Sequence, residues 1–284
     1  MSDINVRLFR EMSEELVPIF RQSVIPLGVY GDNGNEARPI GTGTLFEVAD
    51  RKFIVSAGHV VEAIDNLRGV ACAFLPGIVE HDRTRLTPVP VVGRAYRLED
   101  PADVAVLALA QEAVATFSGV RFLRMVDVEL RAEPLGCGWA CGFPNEYIRD
   151  LDAHSRGVAP LTLASTILRH DGDGLSNFDP FTHFLLEANR ANFGWADGSG
   201  AAPLPERLNG ISGCAVWQTW WPSRGRIDER RARNIKVVGV QTGHYRNRGF
   251  IKATHWGVVA ELIRQSFPEL RPVLGMYFGP GFAQ

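Results

Sequence analysis

The feature that most narrows the fold is how apolar residues are spread along the chain. They fall in short β-branched runs, each a few residues long, divided by glycine-, proline- and aspartate-rich breaks. Residues 91–96, 104–109, 135–143, 161–169, 184–188, 214–219 and 237–242 all read this way. Many short strands at even spacing, without long helical patterns between them, predict an all-β pair of barrels and not a βαβ sheet. The expected division is a helical extension over 1–27, a first barrel over 28–125 and a second over 126–284. Helical spacing occurs only at the two ends. Leu8, Met12, Leu16 and Phe20 form one stripe over 3–22, and Trp256, Val259, Leu262 and Ile263 form another over 255–266.

Three segments carry residue types that work together chemically. In Leu208-Asn209-Gly210-Ile211-Ser212-Gly213-Cys214-Ala215-Val216-Trp217, a serine flanked by glycines enters an apolar run, which presents a hydroxyl at a strand start. In Gly41-Thr42-Gly43-Thr44-Leu45-Phe46-Glu47-Val48, a turn through Ala49-Asp50-Arg51, then Lys52-Phe53-Ile54-Val55-Ser56-Ala57-Gly58-His59, two strands form a hairpin. His59 follows them, where a helical turn over 60–66 begins. In Asp100-Pro101-Ala102-Asp103-Val104-Ala105-Val106-Leu107, a carboxylate stands at the mouth of an apolar strand. Each motif alone is common: His59 reads equally as a core histidine, Asp103 as a turn residue, Ser212 as a strand-edge hydroxyl.

Together, Ser-Ala-Gly-His-Val, Asp-Val-Ala-Val-Leu and Gly-x-Ser-Gly resemble the active-site motifs of the chymotrypsin/trypsin-like serine peptidases, and among them the intracellular bacterial type. The order His, Asp, Ser matches that clan and differs from the subtilisin and α/β-hydrolase orders. The resemblance spans about residues 28–265. It implies a chymotrypsin-like double β-barrel with an N-terminal and a C-terminal helix, a His59–Asp103–Ser212 triad, and protein or peptide substrates. His59, with an ordinary pKa of about 6.5, would accept the proton of the attacking hydroxyl and return it to the leaving amine. Asp103 would hold the imidazole in one tautomer. The N–H groups of Gly210 and Ser212 would receive the oxyanion, each contributing about 3 kcal/mol.

The chain departs from the secreted digestive pattern. Ile211 stands where those enzymes place an aspartate that pairs with a newly released amine, so activation by that route is not expected. By similarity, Glu206, Asn209, Gln241, Thr242, Gly243 and His244 would line the substrate pocket. Glu206, six residues before Ser212, would favour lysine or arginine, and otherwise reads as a surface glutamate. His244 or Gln241 would favour acidic or amide side chains.

Composition adds exclusions. With 284 residues, 45% of them hydrophobic, the chain can bury two cores. A net charge of −2 gives no electrostatic case for nucleic acid or an anionic membrane surface. No apolar stretch approaches the roughly 20 residues of a bilayer span, and the first residues carry no apolar signal core. The cysteines are Cys72, Cys137, Cys141 and Cys214, without the disulfide that clamps the nucleophile loop of secreted relatives. A cytoplasmic protein is the expectation. Cys137-x-x-x-Cys141 lacks the second pair of a zinc site, and Asp171-Gly172-Asp173-Gly174-Leu175-Ser176-Asn177 lacks the glutamate that closes a calcium loop. No metal or cofactor is expected. The stretches 145–160 and 171–177 read as surface connections, the second bordering the cleft, and the basic run 224–236 as a solvated hairpin loop. Two alternatives stand beside the peptidase: a binding or regulatory module of the same fold, active only with a regulatory protein partner or not at all, and an esterase-like hydrolase.

Overall fold

The computed structural model describes residues 15–31, 37–80, 83–152, 155–188, 193–195, 205, 208–219 and 235–279. Seven strands come from the first part of the chain: β1 (Val24–Tyr30), β2 (Ala37–Val48), β3 (Arg51–Ala57), β4 (Val70–Glu80), β5 (Arg83–Pro90), β6 (Gly93–Leu98) and β7 (Val104–Leu109). The rest supplies β8 (Cys137–Gly142), β9 (Ile148–Asp152), β10 (Ser155–Val158), β11 (Leu161–Leu168), β12 (His183–Glu187), β13 (Phe193–Trp195), β14 (Ala215–Thr219), β15 (Lys236–Tyr245) and β16 (Phe250–His255). The first sheet runs β6-β7-β3-β2-β1-β4-β5-β10-β9. The second runs β12-β16-β15-β14-β8-β11, and a β11–β12 pairing closes it into a six-stranded barrel with β13 on its flank.

Strand alternation sorts the side chains into layers. Along β2 and β3, Leu45 and Ile54 face the interior of the first unit, while Phe46, Phe53 and Val55 face the other way. That second face meets Trp139, Trp217 and Trp256, and the three indoles with their neighbours form a core between the sheets. Because both faces are buried, these strands read as apolar runs rather than clean alternations. Ala140, Leu163, Leu186, Val216 and Val238 fill the second barrel.

The helix over 15–21 buries Leu16, Val17 and Phe20, whereas Leu8 and Met12 lie outside the described residues. Phe20 stacks on Trp217 with centroids 4.3 Å apart, so this helix packs on the inter-sheet core. The C-terminal helix Trp256–Ser266 buries Trp256, Val259, Leu262 and Ile263, the stripe read from sequence. A second short helix, Arg271–Phe278, follows it.

Two expectations need amendment. The hairpin turn is shorter than expected: Val48 pairs with Arg51, leaving Ala49-Asp50 as the turn with Ala49 at φ 54°. The stretch 145–160 is not a plain connection. Its strands β9 and β10 form a hairpin, and β10 pairs with β5 through Gly157 with Arg85 and Val158 with Thr84. What decides this pairing is the free edge of a distant strand, which no local pattern announces. The first sheet accordingly starts at Val24 and takes in β9 and β10. The run 171–177 is turn-rich, and most of 224–236 lies outside the described residues.

Candidate active site

His59 sits at the second position of the helix Gly58–Asp65, directly after β3 ends. The residue before that helix is Ala57, and no local side chain caps it. The cap comes from another strand: the Gly58 N–H donates to the Asp103 carbonyl at 2.9 Å and the His59 N–H to Asp103 Oδ1 at 2.8 Å. Orphan donors at a helix start need such acceptors. The second carboxylate oxygen, Oδ2, lies 2.7 Å from His59 Nδ1. One side chain thus caps the helix and orients the imidazole. Asp103 adopts φ +49°, a left-handed conformation that aspartate tolerates better than most residues. Its carboxylate is 13% exposed against 50% for the imidazole, and among the described residues no hydrogen bond reaches Nε2 of the ring.

Ser212 lies on a tight turn before β14. Gly210 and Gly213 flank it at φ +97° and +94°, conformations that demand glycine. The first sheet holds this turn directly, because the Thr42 N–H donates to the Ser212 carbonyl at 2.8 Å. A Cβ on Gly213 would come within 3.0 Å of the Ala57 nitrogen, two residues before His59. Ser212 is partly exposed, and no hydrogen bond joins its Oγ to His59. Among the described residues, the N–H groups of Gly210 and Ser212 donate to no protein acceptor. Ile211 is 3% exposed and packs on Gly142. Apolar burial anchors the turn there.

Beside His59 opens a cleft of about 620 Å³, lined by both halves of the chain, a volume typical of ligand sites. Thr242, Gly243 and His244 line it, as do Glu62, Arg97–Asp100, Ser176, Asn177, Tyr245 and Lys252. Ser212 is not among the residues that line this space. Of the other anticipated pocket residues, Gln241 is 1% exposed, its backbone bonded to Gly213 and Cys214. Asn209 is exposed and accepts the Asn145 N–H through its carbonyl. Glu206 lies outside the described residues. Lys252 escaped sequence reading, although a lysine within Phe250-Ile251-Lys252-Ala253 is the signal of a buried polar group with a partner. Burial lowers its pKa, against the opposing pull of Asp103 and Asp100. Burial, with Arg246 nearby, likewise lowers that of His244.

All four cysteines are free and buried. Burial pushes the Cys137 thiol up to about 12 and that of Cys141 to about 11, and raises Cys214 as well. Such raised values disfavour the reactive thiolate form. Among the described residues no group of three or more His, Cys, Asp or Glu side chains could hold a metal ion, and no helix is long and apolar enough to cross a membrane.

No family model and no curated protein matches the chain. Solved structures do. A scabies mite inactivated protease paralogue, 15% identical, superposes with a TM-score of 0.50 over 88% of this chain and 96% of that one. A Glu endopeptidase is 15% identical with a TM-score of 0.46, covering 87% and 90%. The Vibrio cholerae VesB protease is 11% identical with a TM-score of 0.48, and the match covers 86% of this chain and 64% of that protease. The first of these superpositions shows that the chain shares the fold of that trypsin-like protease paralogue, and fold alone does not settle chemistry, which must be argued from the site.

Proposed function

We propose that the chain is a serine endopeptidase acting through an acyl-enzyme, with Ser212 as nucleophile, His59 as general base and acid, and Asp103 as its orienting carboxylate. The observation that carries this reading is the double grip of Asp103 on His59, through backbone N–H and Nδ1, which leaves Nε2 unpaired beside the cleft. His59 takes the Ser212 proton as Oγ attacks the substrate carbonyl. The imidazolium so formed sits against the Asp103 carboxylate. The unpaired N–H groups of Gly210 and Ser212 receive the oxyanion. Collapse of the tetrahedral adduct passes the proton to the leaving amine, and water then repeats the sequence on the acyl-enzyme. The apolar anchoring of Ile211 supports a turn ordered without proteolytic activation. The four free cysteines support a reducing, cytoplasmic setting.

A fluorophosphonate probe tests the reading: it should label the native protein and not Ser212→Ala or His59→Ala. Folded protein that never labels would overturn it. The second reading, a module silent without a regulatory protein partner, is favoured by the missing Ser212–His59 hydrogen bond. Labelling that appears only after addition of a partner would select it.

A further inference from the structure

We propose that the second half of the chain aims the Asp103 carboxylate, with Asn177, His183 and Thr254 as positioning residues. The inference rests on the reading of His59, Asp103 and Ser212 as a triad. Three consecutive residues before Asp103 each receive at least one hydrogen bond from the other half. Asn177 Nδ2 donates to Asp100 Oδ2 at 2.7 Å, His183 Nε2 to the Pro101 carbonyl at 2.7 Å, and Thr254 Oγ1 to the Ala102 carbonyl at 2.7 Å. Lys252 ties the contacts together, its Nζ 3.1 Å from the Asn177 carbonyl and 3.5 Å from that of Pro101. His183 and Thr254 are 2% and 0% exposed.

The protons are accounted for. Asp179 N–H donates to His183 Nδ1 at 2.9 Å, so the neutral ring carries its proton on Nε2, where it meets Pro101. Thr254 spends its hydroxyl proton on Ala102, so Thr242 Oγ1, 3.1 Å away, donates to Thr254. Burial lowers His183 to about 4, which keeps that tautomer through neutral pH. Asp103 needs outside help because its left-handed backbone is intrinsically disfavoured. Among the described residues its own main chain makes two bonds, N–H to Glu99 and carbonyl from Gly58. The arrangement couples the seating of the two halves to the His59–Asp103 contact, and a displacement near 1 Å there costs about 10²-fold in rate.

The test compares Thr254→Val, Thr254→Ser and Asn177→Ala with wild type. Asn177 is exposed, so its variant remains informative if Thr254→Val fails to fold. The readouts are the rate of fluorophosphonate labelling, the melting temperature, and the far-downfield NMR signal of the proton shared by His59 and Asp103. Thr254→Val and Asn177→Ala should shift that signal and slow labelling about 10- to 100-fold without a matching loss of melting temperature. Thr254→Ser should restore both. An unmoved proton signal in folded Thr254→Val or Asn177→Ala overturns the proposal. That signal is read on the free protein, so it decides the matter even if wild type never labels, an outcome that would instead strike the peptidase reading.

Discussion

The Thr42 hydroxyl donates to the Gly210 carbonyl at 2.7 Å, and its oxygen accepts the Phe143 N–H at 3.2 Å. A strand of the first sheet thereby holds two loops of the second barrel. Thr42→Val keeps the shape but leaves both partners buried and unpaired. The cost should be about 1–3 kcal/mol, read as a lower urea midpoint, together with slower labelling of Ser212. Unchanged stability would mean that the turn is held elsewhere.

Gly213 admits no side chain. A Cβ there would fall 2.0 Å from the Thr42 carbonyl and 2.2 Å from Ser56 Oγ, at φ +94°. Gly213→Ala should lose labelling and more than about 1 kcal/mol of stability. Gly275, in the helix Arg271–Phe278, has nothing within 4 Å of the same position. Gly275→Ala should instead gain about 0.5–1 kcal/mol. Thermal denaturation of the two variants distinguishes local space from backbone strain.

Acid should destabilise the fold through two buried histidines. Burial lowers both His183 and His255 to about 4, from an ordinary 6.5. Between those values the unfolded chain binds protons that the folded chain does not, so stability falls as pH drops from 6.5 to 4. Above 6.5 both states hold neutral rings and the effect vanishes. Each group is worth on the order of 3 kcal/mol over that window. Melting temperature against pH should be flatter in His255→Gln, and an identical slope would contradict the assignment.

Phe20 is fully buried against Trp217 and Trp139, with centroids 4.3 and 6.2 Å away. Phe20→Ala should cost about 3–5 kcal/mol. Tryptophan emission should shift to the red as water reaches the indoles. A cost below about 1 kcal/mol would mean that the helix over 15–21 contributes little to the core.

Much of the candidate site is legible in sequence because its residues stand at junctions. His59 and Ser212 flank strands next to glycines, and Asp103 opens an apolar run. Those local signals place β3, β7 and β14 within a residue or two. The pocket was harder to read. Gln241 and Thr242 are adjacent in β15, yet only Thr242 lines the cleft, because strand alternation turns neighbours to opposite faces and a register shift between Gln241 and Gly243 resets the pattern. Asn177, His183 and Thr254 gave no local sign of their role, since their acceptors lie 77, 82 and 152 positions away.

By itself the sequence determined the all-β character, the helical stripe over 255–266 and the order of His59, Asp103 and Ser212 along the chain, because hydrophobic period and turn chemistry act over a few residues. The tertiary structure alone decided that β10 joins the first sheet, that Asp103 caps the helix carrying His59, and that Lys252 lies in the cleft. Those outcomes depend on which distant backbone groups and buried charges meet when the two halves pack, and no short segment contains that information.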